Sequence, residues 1–124
     1  MDIHKIVNEL KTEYPEKNII INEPGEIICE IEPTSEHTEF SIAVAVVDSI
    51  VPHYHNYSVE EYEIIKGTLE LQLDGHTVML RESQSIRIDP EVVHSAKGSE
   101  TWFRVISKPG WNTEDHILIS DETG

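Results

Sequence analysis

The sequence predicts an all-β fold, an antiparallel sandwich or closed barrel with one short helix in front. Three observations predict it. Nine short runs rich in Ile and Val follow one another from residue 18 onward. Turn residues separate nearly all of them, and a helical repeat of apolar positions occurs ahead of Pro15.

The elements follow in order. Ile3, Ile6, Val7 and Leu10 keep the i, i+3, i+4, i+7 spacing of one helical face, with Asp2 placed as N-cap. Pro15 ends that helix near Tyr14, because the residue before a proline is pushed out of the helical region. Strands are expected at 18–21, 26–31, 40–47, 60–66, 68–73, 76–80, 85–88, 101–107 and 116–119. Between them lie Glu23-Pro24-Gly25, Lys66-Gly67, Asp74-Gly75 and Pro109-Gly110. Asp74-Gly75 between two alternating segments is a strong hairpin signal, and it sets Leu69, Leu71 and Leu73 on one face. The chain reads as a helical arm, 1–15, followed by one β-barrel domain, 16–124.

Composition narrows the partners. With 124 residues, 9 Lys+Arg and 24 Asp+Glu, the net charge is −15. Nucleic-acid backbones need clustered Lys and Arg, so no nucleic acid is expected as partner. An anionic membrane surface is excluded on the same ground. Cys29 is the single cysteine, which rules out an intramolecular disulfide and a cysteine-based zinc site. It sits in IICEI as a small buried hydrophobe. The segment MDIHKIVNEL lacks the basic start and apolar run of a signal peptide, and the run Ile42–Val47 is too short to cross a bilayer. A reducing cytoplasm is the expected setting.

Seven histidines carry the chemistry to be sorted: His4, His37, His53, His55, His76, His94 and His116. His4 reads as a solvated helix residue and His37 as a loop residue. His76 and His116 each begin a strand and have no evident partner. His53 and His55 differ. On a strand, i and i+2 point to the same face, so both imidazoles converge on one point. A His-x-His pair alone is weak, expected roughly 0.4 times by composition in such a chain. Glu60 at a fixed offset and Gly67 seven residues later lower that chance to a few in a thousand, by the same rough arithmetic. With His94 after IDPEVV, the set offers three nitrogen donors and one anionic oxygen. That set suits one divalent metal ion: Fe, Mn, Zn, Ni or Cu.

The stretch HYHNYSVEEYEIIKG resembles the first motif of the cupin family, and DPEVVH resembles the core of its second. The likeness spans roughly residues 40–107. It implies a jelly-roll barrel (an antiparallel double-stranded β-helix) and a homodimer. It also implies a metal held inside by His53, His55, Glu60 and His94, with a small-molecule ligand in the barrel. The chain departs from the family pattern at four places. Val47 and Ser83 stand where glycines are usual, Asp89-Pro90-Glu91 replaces a Pro-x-Gly turn, and Gly98 replaces a frequent Asn.

Glu60 argues against the three-histidine thiol dioxygenases of that superfamily, and the ligand set argues against its metal-independent epimerases. Isomerases, lyases and dioxygenases acting on small organic molecules remain. So does a non-catalytic barrel that binds or senses a sugar or other metabolite. If Glu60 faces inward, alternation sends Tyr62 and Ile64 inward too. Tyr62 is then a candidate proton carrier. Arg104, in WFRVIS, is a candidate clamp for a carboxylate or phosphate, with Arg87 as the alternative. Trp102 is assigned to the core or a dimer contact, and Trp111 to the core, such a contact or the barrel mouth.

Overall fold

A computed structural model describes residues 1–22 and 25–119; Glu23 and Pro24 of the first expected turn lie outside the described residues. Helix α1 (Ile3–Glu13) comes first, followed by β1 (Asn18–Asn22), β2 (Glu26–Glu32), β3 (Ser41–Tyr54) and β4 (Val59–Lys66). After these come β5 (Leu69–Leu73), β6 (His76–Leu80), β7 (Ser85–Ile88), β8 (His94–Lys108) and the two-residue β9 (Ile117–Leu118). Among the described residues no helix is long and apolar enough to cross a membrane.

Asp2 caps α1, its side chain accepting from the Lys5 N–H at 3.1 Å. The helix buries Ile6 and Leu10, the stripe the spacing predicts. At the hairpin, Asp74 and Gly75 take φ of 46° and 84°. Positive φ at both central residues is what a type I′ turn requires.

All strand pairing is antiparallel, in the order β1-β2-β3-β8-β4-β7, with β5 joining β8 and β6, and β9 joining β3. The long strands β3 and β8 pair from Ser41↔Ser107 to His53↔His94. Because β8 also pairs β4 and β5, it is shared between both walls of the barrel.

Both long strands exceed the expected ranges, for a local reason. Strand β3 runs on through Pro52 because the ladder shifts register between Ile50 and His53, so the missing proline N–H falls in an irregular stretch. Strand β8 begins at His94 rather than 101. Its first half, HSAKGSE, is polar in sequence, yet it buries His94 and Ala96 while leaving Lys97 exposed.

Two apolar layers result. The barrel interior holds Ala45, Val47, Tyr62, Ile64, Leu69, Leu71, Ile88 and Phe103. Outside the β2–β3 wall, Ile6 and Leu10 of α1 pack with Ile27, Cys29, Val44, Val46 and Trp102. Cys29 is buried, and Trp102 carries the Lys66 ammonium 4.8 Å above its ring. Burying each Val, Leu, Ile or Phe among them is worth about 1.5–3 kcal/mol.

Two departures from the family pattern leave a mark. Ser83 and Glu91 take φ of 73° and 70°, the left-handed region that glycine occupies freely. At Gly98 an added Cβ would lie 2.5 Å from Thr101 Oγ1, so an Asn there would collide with β8.

Candidate metal centre

Four side chains meet inside the barrel. His53 comes from the end of β3, and His55 lies one residue beyond it, still on the same side. Glu60 comes from the start of β4 and His94 from the first position of β8. Their ligand atoms all lie within 4.8 Å of one another, and the four residues could hold a metal ion. All are buried, at 1–4% exposure.

Backbone carbonyls set the orientation of each imidazole. His53 Nδ1 donates to the Val51 carbonyl at 2.9 Å, His94 Nδ1 to Val92 at 2.9 Å, and His55 Nδ1 to Asp115 at 2.7 Å. A carbonyl only accepts, so each Nδ1 carries the proton and each neutral ring presents an Nε2 lone pair. His55 Nε2 and His94 Nε2 lie 3.1 and 3.2 Å from Glu60 Oε1. All three atoms are buried without a hydrogen-bond partner. Acceptors facing acceptors in a dry interior are costly unless a cation stands among them. Glu60 Oε2 is satisfied separately by the Ser107 hydroxyl at 3.2 Å. The residues therefore fit a metal on the chemistry of the donor set and on these orphaned atoms.

Proton affinities point the same way. Burial by itself raises the Glu60 carboxyl, but the attraction of His55 and His94, whose rings take positive charge when Nε2 is also protonated, outweighs it and holds Glu60 well below the carboxylate range. For His55, burial lowers proton affinity, and the nearby Glu60 carboxylate, which favours a proton on Nε2, more than reverses it. His53 is driven down to about 3 by burial, then by His94. The pocket wants a cation beside Glu60 and a neutral His53.

Strand alternation brings Tyr62 inward with Glu60, as expected from the sequence. Its ring packs 4.7 Å from Phe103 and 6.2 Å from the His94 ring, centroid to centroid. Burial, then the charges of Glu60 and Glu26, push its phenol well above 10, so it stays protonated. Arg104 is not brought to the cluster. Phe103 points into the barrel, so Arg104 projects outward, where Nη1 donates to Glu63 at 2.9 Å in a half-exposed ion pair. The inward guanidinium is thereby corrected. Arg87 is also at the surface, donating to Asp89 at 2.8 Å.

Two further residues belong to this end of the barrel. His116 stacks on His53 with centroids 4.3 Å apart, and its Nδ1 accepts from the Trp111 indole N–H at 3.2 Å. Asp115 is 4% exposed. Its carboxylate accepts the N–H groups of Asn56, Tyr57 and Ser58, while its carbonyl holds His55. Burial alone raises its carboxyl, and those backbone donors turn the shift downward. Sequence spacing cannot reveal either residue, because Asp115 lies 60 positions from His55.

Comparison with known proteins agrees with this geometry. The family described as Cupin domain matches residues 40–107. A stretch of 47 residues is 40% identical to "Polyketide synthase CurC" of Streptomyces cyaneus, covering 38% of this chain and 30% of that protein. The match thus spans less than a third of that relative's length. Among solved structures, the fold is similar to Streptomyces Pac13 with uridine at a TM-score of 0.77 and 15% identity, over 86% of this chain and 88% of that one. Pac13 is described as a nucleoside dehydratase. KdgF of Halomonas sp. gives 0.67 and 17%, over 76% and 89% of the two chains. Oxalate decarboxylase of Bacillus subtilis gives 0.73 and 14%, over 87% and 31%. At such identities the structural likeness speaks for the fold alone.

Proposed function

We propose, from the premise that the chain belongs to the cupin domain family, that it is a metal-dependent enzyme acting on a small organic molecule held in the barrel. The chemistry is of isomerase, lyase or dioxygenase type. One observation carries this reading: three buried imidazole lone pairs and an unpartnered carboxylate oxygen converge within 4.8 Å. His53, His55, Glu60 and His94 would hold a divalent ion such as Fe, Mn, Zn, Ni or Cu. Bound there, the ion would supply Lewis acidity or a redox centre at any position the protein leaves open. The chain's own residues do the rest. Val51, Val92 and Asp115 keep the rings aimed through their carbonyls, and Ser107 holds the second oxygen of Glu60. Tyr62 offers a phenol proton on the same wall.

Metal content tests the ligand assignment on which this reading rests. Protein purified without chelators and analysed by emission spectroscopy is expected to carry about one ion per chain, and His55→Ala to carry none. Equal metal in both would overturn the ligand assignment. A homodimer follows from the same premise. Strand β1 at the sheet edge, with Ile20 and Ile21 at 36% and 47% exposure, is suited to pairing with a second copy. Light scattering should then give twice the 14.2 kDa of one chain.

A further inference from the structure

The end of the barrel that holds the cluster also carries an aromatic and apolar rim. Strand β9 supplies part of it. Its ladder sets Leu118 opposite His53 and Ile117 opposite Tyr54. Partners across an antiparallel ladder share a face, so Leu118 lies on the face of His53, and it is 59% exposed there. His116 stands two residues earlier in extended backbone, with φ −110° and ψ 95°, and alternation gives it the same face. It stacks there on His53 with 25° between the ring planes, and its centroid is 5.5 Å from that of His55.

Trp111 completes the rim and decides what His116 can do. Its backbone N–H donates to Ser41 Oγ at 2.9 Å, and Thr34 Oγ1 donates to its carbonyl at 2.6 Å. Its indole N–H donates to His116 Nδ1 at 3.2 Å. An indole nitrogen only donates, so Nδ1 of His116 is the acceptor and the single ring proton sits on Nε2. Among the described residues that Nε2 has no hydrogen-bond partner, and it is not one of the buried orphaned atoms. It is an open N–H donor on a ring stacked against one of the four clustered imidazoles. Trp111, although held at three points, is 42% exposed, which leaves part of the side chain free. Arg104 and Arg87, the two candidate clamps for an anion, turn instead to Glu63 and Asp89.

Resting on the enzymatic reading above, we propose that His116 and Trp111 are the substrate-binding pair of this site, and that the substrate is a flat, largely apolar carbonyl compound rather than a sugar or sugar phosphate. The Nε2–H of His116 donates to an oxygen of the molecule at the cluster, and the Trp111 ring packs against its flat body. The indole N–H fixes the tautomer, so the pair works as one unit. A sugar needs a polar partner for each hydroxyl it brings out of water, and Trp111 and Leu118 offer apolar surface instead. A phosphate is met best by the charged fork of an arginine, and both candidates face other carboxylates.

Calorimetry on zinc-loaded protein tests it with three hydroxamates, which share a zinc-binding oxygen head and differ in the body attached. Benzohydroxamate should bind about 10-fold or more tighter than acetohydroxamate, and gluconohydroxamate, with its polyol body, no tighter than acetohydroxamate. Trp111→Ala should remove most of the preference for the phenyl body. His116→Phe keeps a ring on His53, so it should retain zinc and weaken all three by about 10-fold. Equal binding of the phenyl and methyl compounds, or tightest binding of the polyol, overturns the substrate class. Unchanged affinities in zinc-loaded His116→Phe overturn the role of His116. If that variant loses its zinc, 15N spectra of zinc-loaded wild type decide instead. His116 should carry its proton on Nε2, and that resonance should shift when benzohydroxamate is added; a proton on Nδ1, or no shift, overturns the role. Wild type that takes up zinc but binds no hydroxamate has a closed metal site, and wild type without zinc has none. Either result fails the enzymatic reading and the proposal with it, whereas tight but body-blind binding fails the proposal alone.

Discussion

The two sides of the β2–β3 wall are built on opposite principles. Outside it, α1 and the wall bury Ile6, Leu10, Ile27, Cys29, Val44, Val46 and Trp102. This layer is apolar contact with nothing left over. At the ends of β3 and β8 and the start of β4, three imidazoles and a carboxylate are buried together, with His55 Nε2, His94 Nε2 and Glu60 Oε1 unpaired. A fold seeking only stability would fill that space with Leu or Ile, as it does around Leu69 and Leu71 a few residues away. The difference teaches where stability is spent: the helix side holds the barrel together, and the histidine end draws on that stability to keep a site dry and charged.

Breaking one end should leave the other standing, and that contrast orders the tests. The largest effect is expected at the cluster. His55→Ala should lose bound metal altogether in emission spectroscopy while the far-ultraviolet circular dichroism stays that of the folded barrel. Leu10→Ala should do the reverse. It should cost about 2–5 kcal/mol in urea unfolding, as for a large-to-small change at a fully buried site, with metal content unchanged. A Leu10→Ala protein that folds but binds no metal would show that the two regions are not separable.

Asp115 supports the histidine end without being one of the four clustered residues, and should give an intermediate result. Asp115→Ala leaves the N–H groups of Asn56, Tyr57 and Ser58 without their acceptor and loosens the carbonyl that aims His55. Competition with a chelator dye should show metal affinity about 10–100-fold weaker.

Acid should weaken the metal-free protein mainly through the histidine end. His53 binds a proton near 6.5 when unfolded but only at about 3 when folded, so the unfolded state holds the extra proton between those values. Its contribution is present above 6.5 and lost as pH falls, at up to about 1.4 kcal/mol per pH unit. His116, also lowered by burial and by His55, acts in the same direction. His55 is raised, so its contribution is complete below 6.5 and fades as pH rises through its folded value. Urea midpoints measured from pH 8 to 4 should fall toward acid in wild type and fall less steeply in His53→Gln. An identical slope in the variant would assign the acid sensitivity elsewhere.

The smallest effects belong to the left-handed positions. Ser83→Gly and Glu91→Gly should each raise stability by about 0.5–1 kcal/mol, because the steric cost of a side chain at positive φ exceeds the entropy glycine adds. Glu91 adjoins the cluster, its N–H donating to the His55 carbonyl at 2.6 Å. A gain at Ser83 with a loss of metal at Glu91 would show that the strain there serves the site.

Much of this was legible in the residues. Alternation of Glu60, Tyr62 and Ile64 predicted their shared inward face, and all three are buried. The expected strands fall close to the observed ones because short Ile- and Val-rich runs between turn residues are a local signal. The signal failed where pattern and packing part company. HSAKGSE has no apolar alternation to read, yet pairing with β3 and β5 makes it strand. WFRVIS left the direction of Arg104 open, and packing of Phe103 in the barrel interior turned the guanidinium outward to Glu63.

The sequence by itself determined the antiparallel barrel class and the helix in front, since period and turn spacing are properties of neighbouring residues, and it singled out His53, His55, Glu60 and His94, which the fold brings within reach of one possible metal ion. Only the tertiary structure decided that His116 stacks on His53 and that Asp115 aims His55. Each of those contacts joins strands or turns far apart in the chain. Their register is fixed by the burial of the whole sheet, which no short stretch of sequence encodes.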